Sequence, residues 1–320
     1  MRAAVVREVG AVPEPGELPD PTRSNGEALV RVRAAALNPI DLAIASGRFY
    51  AGPPHVPYAP GREGVGVVLE AETVAPGVRA RFERDTGYGA NGSLAELIVV
   101  DEAALVPLPD EAEDTISAAL GIAGLAAWLA LGKAQIEEGE TVLVLGATGA
   151  VGQVAVQAAK LLGAGRVIAA ARNVDALERT RELGADAVVA LDDRDLTAAY
   201  KDAAGRELDA VIDPLWGDPA VAALPALRIG GRLVHLGTSA SLEATVPSAP
   251  LRGRNISIIG HSNLTTPHET KAAAYRELLD QVIAGRIQVD VDVFPLDRAA
   301  DAWREQAASP HRKIVVALPE

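Results

Sequence analysis

The chain has 320 residues, of which 49% are hydrophobic and 23% are charged, as expected for a folded protein with room for two domains. Its net charge of −13 disfavours nucleic acid or an anionic membrane surface as a partner, so we expect neither. The absence of cysteine excludes disulfides and thiolate-ligated metal. No signal peptide is recognisable at Met1 and no stretch approaches ~18 uninterrupted apolar residues, so we expect a cytoplasmic protein.

The first hundred residues predict a β-rich region. Residues 28–36 (ALVRVRAAA) partly alternate apolar and polar side chains, and residues 65–69 form an apolar run rich in valine. Glycine and proline separate these runs, as they do at turns between strands. Residues 106–109 (VPLP) mark a break, after which Asp114 can cap a helix that reaches about Leu131.

From residue 141 the pattern changes to alternating strands and helices. The continuous apolar run TVLVL at 141–145 is suited to a strand that is buried on both faces. Short apolar strands are predicted at 141–145, 167–171, 187–191, 210–212, 232–236 and 256–259. Helices are predicted at 151–162, 173–183, 196–204 and 219–227. Six strands with helices between them predict an α/β fold with a doubly wound parallel sheet of the Rossmann type.

The C-terminal part returns to mixed structure. We predict a helix at 269–284 that ends at Gly285, a strand at 289–293, a helix around 298–307 and a last strand at 313–317.

A glycine-rich loop follows the predicted strand 141–145 directly and opens the next helix. Its glycines are spaced G-x-x-G-x-x-G, which allows the backbone to approach a pyrophosphate at Gly149 and the helix to pack closely at Gly152. The free N–H groups at a helix N-terminus also attract an anion. The alternative is a tight turn without a ligand, but the strand–turn–helix setting favours a dinucleotide site. The predicted loop residues are Gly146, Ala147, Thr148, Gly149, Ala150, Val151 and Gly152.

The residues at the end of the second predicted strand indicate which nucleotide is bound. A ribose 2′-hydroxyl is usually bound by an acid about 20 residues after the glycines, whereas a 2′-phosphate needs an arginine. Here Arg172 and Asn173 follow the strand, and the first acid is Asp175. We therefore predict NADPH as the cofactor, with Arg172 beside the phosphate and Asn173 adding a hydrogen bond. The alternative is a solvated arginine at the start of a helix.

Several segments together identify a family. Residues 36–41 (ALNPID), 60–66 (PGREGVG), 92–96 (GSLAE), 121–128 and 146–152, with Asp213-Pro214, resemble the zinc-independent quinone oxidoreductases of the medium-chain dehydrogenase/reductase superfamily. Zinc members carry a cysteine before the aspartate of the first segment and a histidine before the glutamate of the second. This sequence has Asn38-Pro39 and Arg62 there, so a tetrahedral catalytic zinc cannot be built on the family plan, and we predict no metal.

The resemblance also implies an architecture and an activity. A catalytic domain of GroES-like β-barrel type is expected from residues 1–112 and 264–320, with a Rossmann NADP-binding domain at 113–263. The expected reaction is NADPH-dependent hydride transfer to a small quinone, enone or ketone. A homodimer that pairs through the strand at 256–259 is implied as well.

Catalytic candidates carried over from the family are Tyr50, Asn38 and Asp41. Tyr50 matches a tyrosine that reaches toward the substrate carbonyl, and the Asn38–Asp41 pair matches polar residues near the nicotinamide. Each residue also has an ordinary structural alternative: a half-buried loop aromatic for Tyr50, a turn former for Asn38 and a helix cap for Asp41. Further cofactor contacts are carried over to strand ends at Asp213, Leu215, Gly237, Thr238, His261, Ser262 and Asn263.

Other functions are less well supported. Short-chain dehydrogenases need Tyr-x-x-x-Lys, which is absent, and the hydrolase-like segment Gly260-His261-Ser262 lacks the second glycine of a nucleophile elbow. The remaining alternative is an NADPH-binding redox sensor or structural protein with little or no turnover.

Overall fold

A computed structural model describes residues 1–192 and 195–319. The chain divides into two compact units. The first comprises Met1–Ile122 together with Val289–Glu320, and the second comprises Ala123–Gln288.

Within the described residues the strands number fifteen. They are β1 (Arg2–Val5), β2 (Glu14–Glu17), β3 (Glu27–Ala36), β4 (Glu63–Glu70), β5 (Arg79–Glu83), β6 (Leu97–Asp101), β7 (Val106–Pro107), β8 (Thr141–Leu145), β9 (Arg166–Ala171), β10 (Ala187–Ala190), β11 (Leu208–Asp213), β12 (Leu227–His235), β13 (Ser257–Gly260), β14 (Val291–Pro295) and β15 (Lys313–Ala317).

The α-helices in the same residues number ten. They are α1 (Pro39–Ala45), α2 (Asp114–Ala119), α3 (Leu125–Ala134), α4 (Ala150–Leu161), α5 (Val174–Arg179), α6 (Leu196–Ala204), α7 (Asp218–Ala223), α8 (Ser248–Arg254), α9 (His268–Ile283) and α10 (Ala299–Ala307). A π-helical turn, Leu120–Gly124, joins α2 to α3.

In the first unit the central strand is β3, which has partners on both edges. One edge pairs with β4, while the other is shared between β6 near the start of β3 and β15 near its end. The whole sheet has the order β14-β15-β3-β4-β5-β7 and is antiparallel except for the pair β14–β15. The predicted β-rich domain is confirmed, although no pairing among the described residues joins β14 to β7. The sheet is therefore open and is not a closed barrel.

The second unit contains the predicted doubly wound sheet. Its strands are all parallel and lie in the order β10-β9-β8-β11-β12-β13, which is 3-2-1-4-5-6 when they are numbered along the chain. All five residues of β8 are buried, as expected for a strand covered on both faces. The strand order reverses between β8 and β11, and such a reversal opens a crevice at the carboxyl ends of the strands.

The two compact units end later in the chain than the domain boundaries expected near residues 113 and 263. For the boundary expected near residue 263 the reason is the packing of α9 against α3, where the indole N–H of Trp128 donates to Glu277 at 3.3 Å. Gln288 is also tied to α4, because its N–H donates to the side chain of Gln157 at 2.8 Å. Residues 264–288 therefore pack with the parallel sheet's unit.

One helical stretch of the described residues, Asp114–Ala134, is long and apolar enough to cross a membrane by length and composition. Its α2 part packs on β3 and β4, and its α3 part packs on α4 and β12. Within its most apolar window, 61% is buried inside the protein, which is the behaviour of a core helix.

The turn after β4 depends on one carboxylate. Glu102, directly after β6, accepts hydrogen bonds from the backbone N–H groups of residues 72–74 and from the Thr73 hydroxyl. The hydroxyl bond, together with the backbone bonds, lowers the pKa of Glu102 to about 2.

Replacing the Glu102 carboxylate should make the stability of the folded protein less dependent on pH in the acidic range. A carboxyl group whose pKa is lower in the folded state adds stability above its unfolded pKa and loses it as pH falls toward the folded value. We expect Glu102→Gln to lower the urea midpoint at pH 7, with the difference from wild type narrowing between pH ~4.5 and ~2. The exposed Glu111→Gln is the control and should leave the midpoint unchanged. A difference that stays constant over that pH range would contradict this role.

Candidate nucleotide site and buried polar cluster

The glycine loop connects β8 to α4. The backbone at its first position has a left-handed conformation that glycine adopts easily and other residues rarely do. Gly146 has φ +61°, and its carbonyl accepts the N–H of Gly149 at 3.0 Å. Ala147 anchors the loop to β9 by donating to the carbonyl of Ala170 at 3.1 Å. Gly149 is the N-cap residue of α4, so the first-turn N–H groups of this helix have no intrahelical acceptor.

Gly152 is the residue that allows α4 to lie close to the loop. A Cβ at this position would lie 2.3 Å from the Gly146 carbonyl oxygen and 2.5 Å from the Ala147 Cα, which no side chain tolerates. At Gly149 a Cβ would meet only the Gly146 oxygen, at 3.5 Å. The loop therefore has the close helix contact and the bare backbone that a dinucleotide phosphate requires, and these residues fit such a cofactor.

Arg172 and Asn173 follow β9 on the protein surface. Arg172 is exposed and forms no ion pair with any residue that the structure describes. The Asn173 side-chain oxygen accepts the N–H of Ala176 at 2.9 Å and so caps α5, which leaves its amide N–H groups for other partners. Arg172 is therefore available to bind an anion at this strand end.

Asp213, at the end of β11, is completely buried, and both oxygens of its carboxylate have hydrogen-bond partners. One oxygen accepts the N–H groups of Leu215 and Trp216, both at 2.9 Å, and the other lies 3.0 Å from Nδ1 of His235. Leu215 lies against the glycine loop, since a Cβ on Gly146 would be 3.0 Å from its Cδ2. Asp213 thus shapes the loop that carries Leu215.

Gly237 and Thr238 follow β12. A Cβ on Gly237 would lie 2.7 Å from the Pro214 carbonyl oxygen, so this glycine permits the loops after β11 and β12 to touch. Ser239 adds a hydrogen bond to the same oxygen at 3.2 Å. Thr238 is exposed beside it.

The residues after β13 form a compact turn. Nε2 of His261 lies 3.0 Å from Oδ1 of Asn263, and the Ser262 hydroxyl accepts the N–H of Leu264 at 3.2 Å. Burial lowers the pKa of His261, and the charge of Lys133 acts in the same direction, whereas the bond to Asn263 opposes both. Burial and Lys133 therefore both favour the neutral form of the His261 ring.

The structure brings these predicted cofactor residues to one edge of the sheet. Parallel strands end at the same edge, so the loops after β8, β9, β11, β12 and β13 are neighbours in the order in which those strands pair. The glycine loop and Leu215 lie at the reversal point, between β8 and β11. This edge is the candidate nucleotide site.

In the first unit Asn38 and Asp41 are buried at the start of α1. The Asp41 carboxylate accepts the N–H groups of Asn38 at 2.8 Å and Arg62 at 3.0 Å, so it forms one half of a capping box. Burial raises the pKa of Asp41 to about 6; the charge of Glu63 acts in the same direction, against the Asn38 bond.

Glu63 and Lys313 complete this buried polar cluster and were missed by the sequence reasoning. The Asn38 amide donates to Glu63 at 2.7 Å, and the Lys313 ammonium donates to both Asn38 and Glu63. Glu63 also accepts the N–H of Ile122 in the π-helical turn. The available signals were a lone lysine opening the apolar strand β15 and the glutamate of the PGREGVG segment.

Tyr50 lies outside this cluster, in the turn that follows α1. Its side chain is 83% exposed, and its ring lies 4.1 Å from that of Phe49 between centroids. The nearby Tyr88 hydroxyl donates to the carbonyl of Gly52 at 3.0 Å.

Zinc does not fit this donor set. A catalytic zinc needs three protein ligands, and the described residues contain no group of three histidine, aspartate or glutamate side chains able to hold a metal. Asn38 and Glu63 are instead bridged by the positively charged Lys313. A second cation beside that ammonium would be repelled.

Comparison with known families matches both units. The family model described as "Alcohol dehydrogenase GroES-like domain" matches residues 24–110, and the one described as "Zinc-binding dehydrogenase" matches residues 150–280. Quinone oxidoreductase-like protein 2 of Rattus norvegicus is 33% identical over 73% of this chain and 67% of its own length. The chain belongs to the medium-chain dehydrogenase/reductase superfamily.

Solved structures of this superfamily share the complete fold. The quinone oxidoreductase of Thermus thermophilus, also solved as a complex with NADPH, is 32% identical with a TM-score of 0.81 over 99% of this chain and 100% of its own. An NAD-dependent alcohol dehydrogenase is 30% identical with a TM-score of 0.88 over 100% of both chains. This medium-chain dehydrogenase/reductase is therefore an oxidoreductase of the quinone oxidoreductase-like type.

Some relatives are much longer proteins. The mycocerosic acid synthase-like polyketide synthase of Mycobacterium tuberculosis is 31% identical over 92% of this chain, yet the chain spans only 14% of that protein. The similarity concerns one segment of the synthase.

A side chain at Gly152 should weaken nucleotide binding strongly. We expect Gly152→Val to weaken the binding of a nicotinamide dinucleotide by roughly 100-fold or more, because its side chain would displace the glycine loop. The measurement is calorimetric titration, with circular dichroism to verify the fold. Gly132→Ala, in helix α3 where a Cβ would meet nothing within 4 Å, is the control and should bind as wild type. Wild-type affinity in Gly152→Val would rule out this loop as the phosphate site.

Proposed function

We propose that this protein is an NADPH-dependent reductase that transfers a hydride to a small quinone, enone or ketone without zinc. The observation that carries the proposal is the glycine loop at the strand reversal between β8 and β11, with Gly152 packed against Gly146. Dinucleotides bind at such reversal points in open parallel sheets. The quinone oxidoreductase of Thermus thermophilus, which was solved with NADPH, supports the same cofactor.

The cofactor-binding roles follow the strand ends. Residues 146–152 would hold the pyrophosphate through backbone N–H groups, and the loops after β11, β12 and β13 would hold the nicotinamide half. When bound, NADPH supplies the hydride. The protein's own contribution is to orient the two reactants and exclude water.

NADPH is favoured over NADH by the residues after β9. Among the described residues, exposed Arg172 has no ion-pair partner and the Asn173 amide N–H groups have no acceptor, while the Asn173 oxygen caps α5. An arginine fork binds a 2′-phosphate in two hydrogen bonds, whereas no acid precedes Asp175 to bind a 2′-hydroxyl.

Charge that develops on the substrate oxygen must be stabilised by a hydrogen-bond donor. We assign this role to the Tyr50 hydroxyl, which has an accessible position on its turn. Asn38 has both polar side-chain atoms engaged by Glu63 and Lys313, so its role is to orient neighbouring groups. Asp41, which accepts two backbone N–H groups, holds the start of α1.

We also propose a cytoplasmic location and a homodimer, and the edge strand β13 supports the homodimer. Only β12 pairs with β13 among the described residues, and Ile258 in this strand is 36% exposed. An unpaired apolar edge is protected when a second copy pairs with it. Sedimentation of a purified monomer would contradict the dimer.

The proposal is tested by titrating purified protein with NADPH and NADH and then measuring turnover on quinones, enones and ketones with and without EDTA. We expect NADPH binding, oxidation by at least one substrate class and no loss of rate in EDTA. Binding without turnover would favour the redox sensor or structural protein. A rate that is lost in EDTA and restored by zinc would refute the zinc-free mechanism.

Arg172 should control the choice of nucleotide. Arg172→Gln is expected to raise the Kd for NADPH about 10-fold or more while that for NADH changes less than about 2-fold, because only the 2′-phosphate bond is lost. Arg276→Gln, an exposed arginine on α9, is the matched control and should alter neither. Equal losses for both nucleotides would overturn the 2′-phosphate assignment.

The hydroxyl of Tyr50 should affect the chemical step alone. We expect Tyr50→Phe to lower kcat by roughly 10-fold or more at an unchanged Kd for NADPH, since only the donor to the substrate is removed. Tyr88→Phe is the control on the neighbouring segment, where the hydroxyl bonds to Gly52, and should keep kcat within about 2-fold. An unchanged kcat in Tyr50→Phe would return Tyr50 to an ordinary loop position.

A further inference from the structure

His235 was not among the predicted site residues, yet it ends β12 at the same sheet edge as the cofactor loops. It is in register with Asp213 on β11, and its Nδ1 lies 3.0 Å from the Asp213 carboxylate. A carboxylate can only accept a hydrogen bond, so Nδ1 carries the hydrogen. The Asp213 side chain is completely buried, whereas His235 is 26% exposed.

The same carboxylate holds the loop that follows β11. Its other oxygen accepts the N–H groups of Leu215 and Trp216. Trp216 has φ +61°, a left-handed conformation that a non-glycine residue adopts only when its surroundings hold it there. The Trp216 ring also packs on the His235 imidazole, with 4.3 Å between centroids.

This loop in turn touches the glycine loop. Leu215 is the contact, because a Cβ on Gly146 would lie 3.0 Å from its Cδ2. A chain of contacts therefore runs from the His235 imidazole through the Asp213 carboxylate and the Leu215 amide to the backbone expected to bind pyrophosphate.

We propose that His235 is a positioning residue of the nucleotide site, which acts through Asp213 to hold residues 214–217 against the glycine loop. The proposal rests on the proposed function for its binding consequences. The role requires that the side chain at position 235 carry an N–H on the atom bonded to Cγ, where it reaches the buried Asp213 carboxylate. Asparagine also has an N–H at that point, whereas phenylalanine has the ring without the N–H.

Two substitutions separate the hydrogen bond from the ring contact. His235→Phe keeps a ring against Trp216 and leaves the Asp213 oxygen without its donor, so we expect the Kd for NADPH to rise about 10-fold or more. His235→Asn keeps the donor and loses the ring, so we expect a Kd within about 3-fold of wild type. At saturating NADPH, kcat should stay within about 2-fold in both variants, because the effect lies in binding. His55→Phe, at an exposed position of the first unit, is the matched control.

Hydrogen exchange in the absence of nucleotide provides a readout that does not depend on turnover. We expect the amides of residues 146–149 and 215–217 to exchange faster in His235→Phe than in wild type, with exchange in the core strand β8 unchanged. His235→Asn should exchange like wild type.

The outcomes are distinguishable. Wild-type affinity and exchange in His235→Phe would overturn the inference, as would equal losses of affinity in the phenylalanine and asparagine variants. If the wild-type protein bound neither NADPH nor NADH, the proposed function would fail. The exchange measurement would then decide the positioning role by itself: faster exchange in His235→Phe alone would support it, and unchanged exchange would refute it.

Discussion

Parallel pairing of the six strands in the second unit is the constraint on which the candidate site depends. Because the strands run in one direction, every loop that leaves a carboxyl end emerges at the same edge. The reversal between β8 and β11 separates the loops there, and Gly152 permits α4 to begin directly against that opening. Residues that are more than 100 positions apart in the chain, such as Gly146 and His261, therefore lie at the same edge of the sheet.

Buried carboxylates organise both units, and each of the two is bonded by several donors. Asp213 has three donors at the sheet edge. Glu63 is bound by the side chains of Asn38 and Lys313 and by a backbone N–H of the π-helical turn. A buried carboxylate with a missing donor is strongly destabilising, so these groups restrict the positions of the segments that surround them. The π-helical turn at Leu120–Gly124 is one result, since the N–H of Ile122 points to Glu63.

Much of the fold was predictable from local pattern. The six strands of the doubly wound sheet were each located, because buried parallel strands are continuous apolar runs between helices, although β12 begins at Leu227 and not at residue 232 as predicted. The glycine spacing located the turn at Gly146–Gly152, and only a residue without a side chain fits at Gly152. The compact units were harder to delimit. The boundary near Gln288 depends on contacts of α9 with α3 and of Gln288 with Gln157, which are distant in sequence.

The sequence by itself determined the fold class, the position of the glycine loop and the presence of Arg172 at the end of β9. Each of these features depends on residues that are close together in the chain. The fold class follows from the periodicity of hydrophobic residues, the loop from the spacing of its glycines, and the position of Arg172 from the end of a predicted strand. Only the tertiary structure decided which polar side chains are engaged. Lys313 reaches Asn38 across 275 positions, and His235 meets Asp213 because two parallel strands pair in one register. Hydrogen bonds between distant residues depend on packing and register, and no local pattern specifies them.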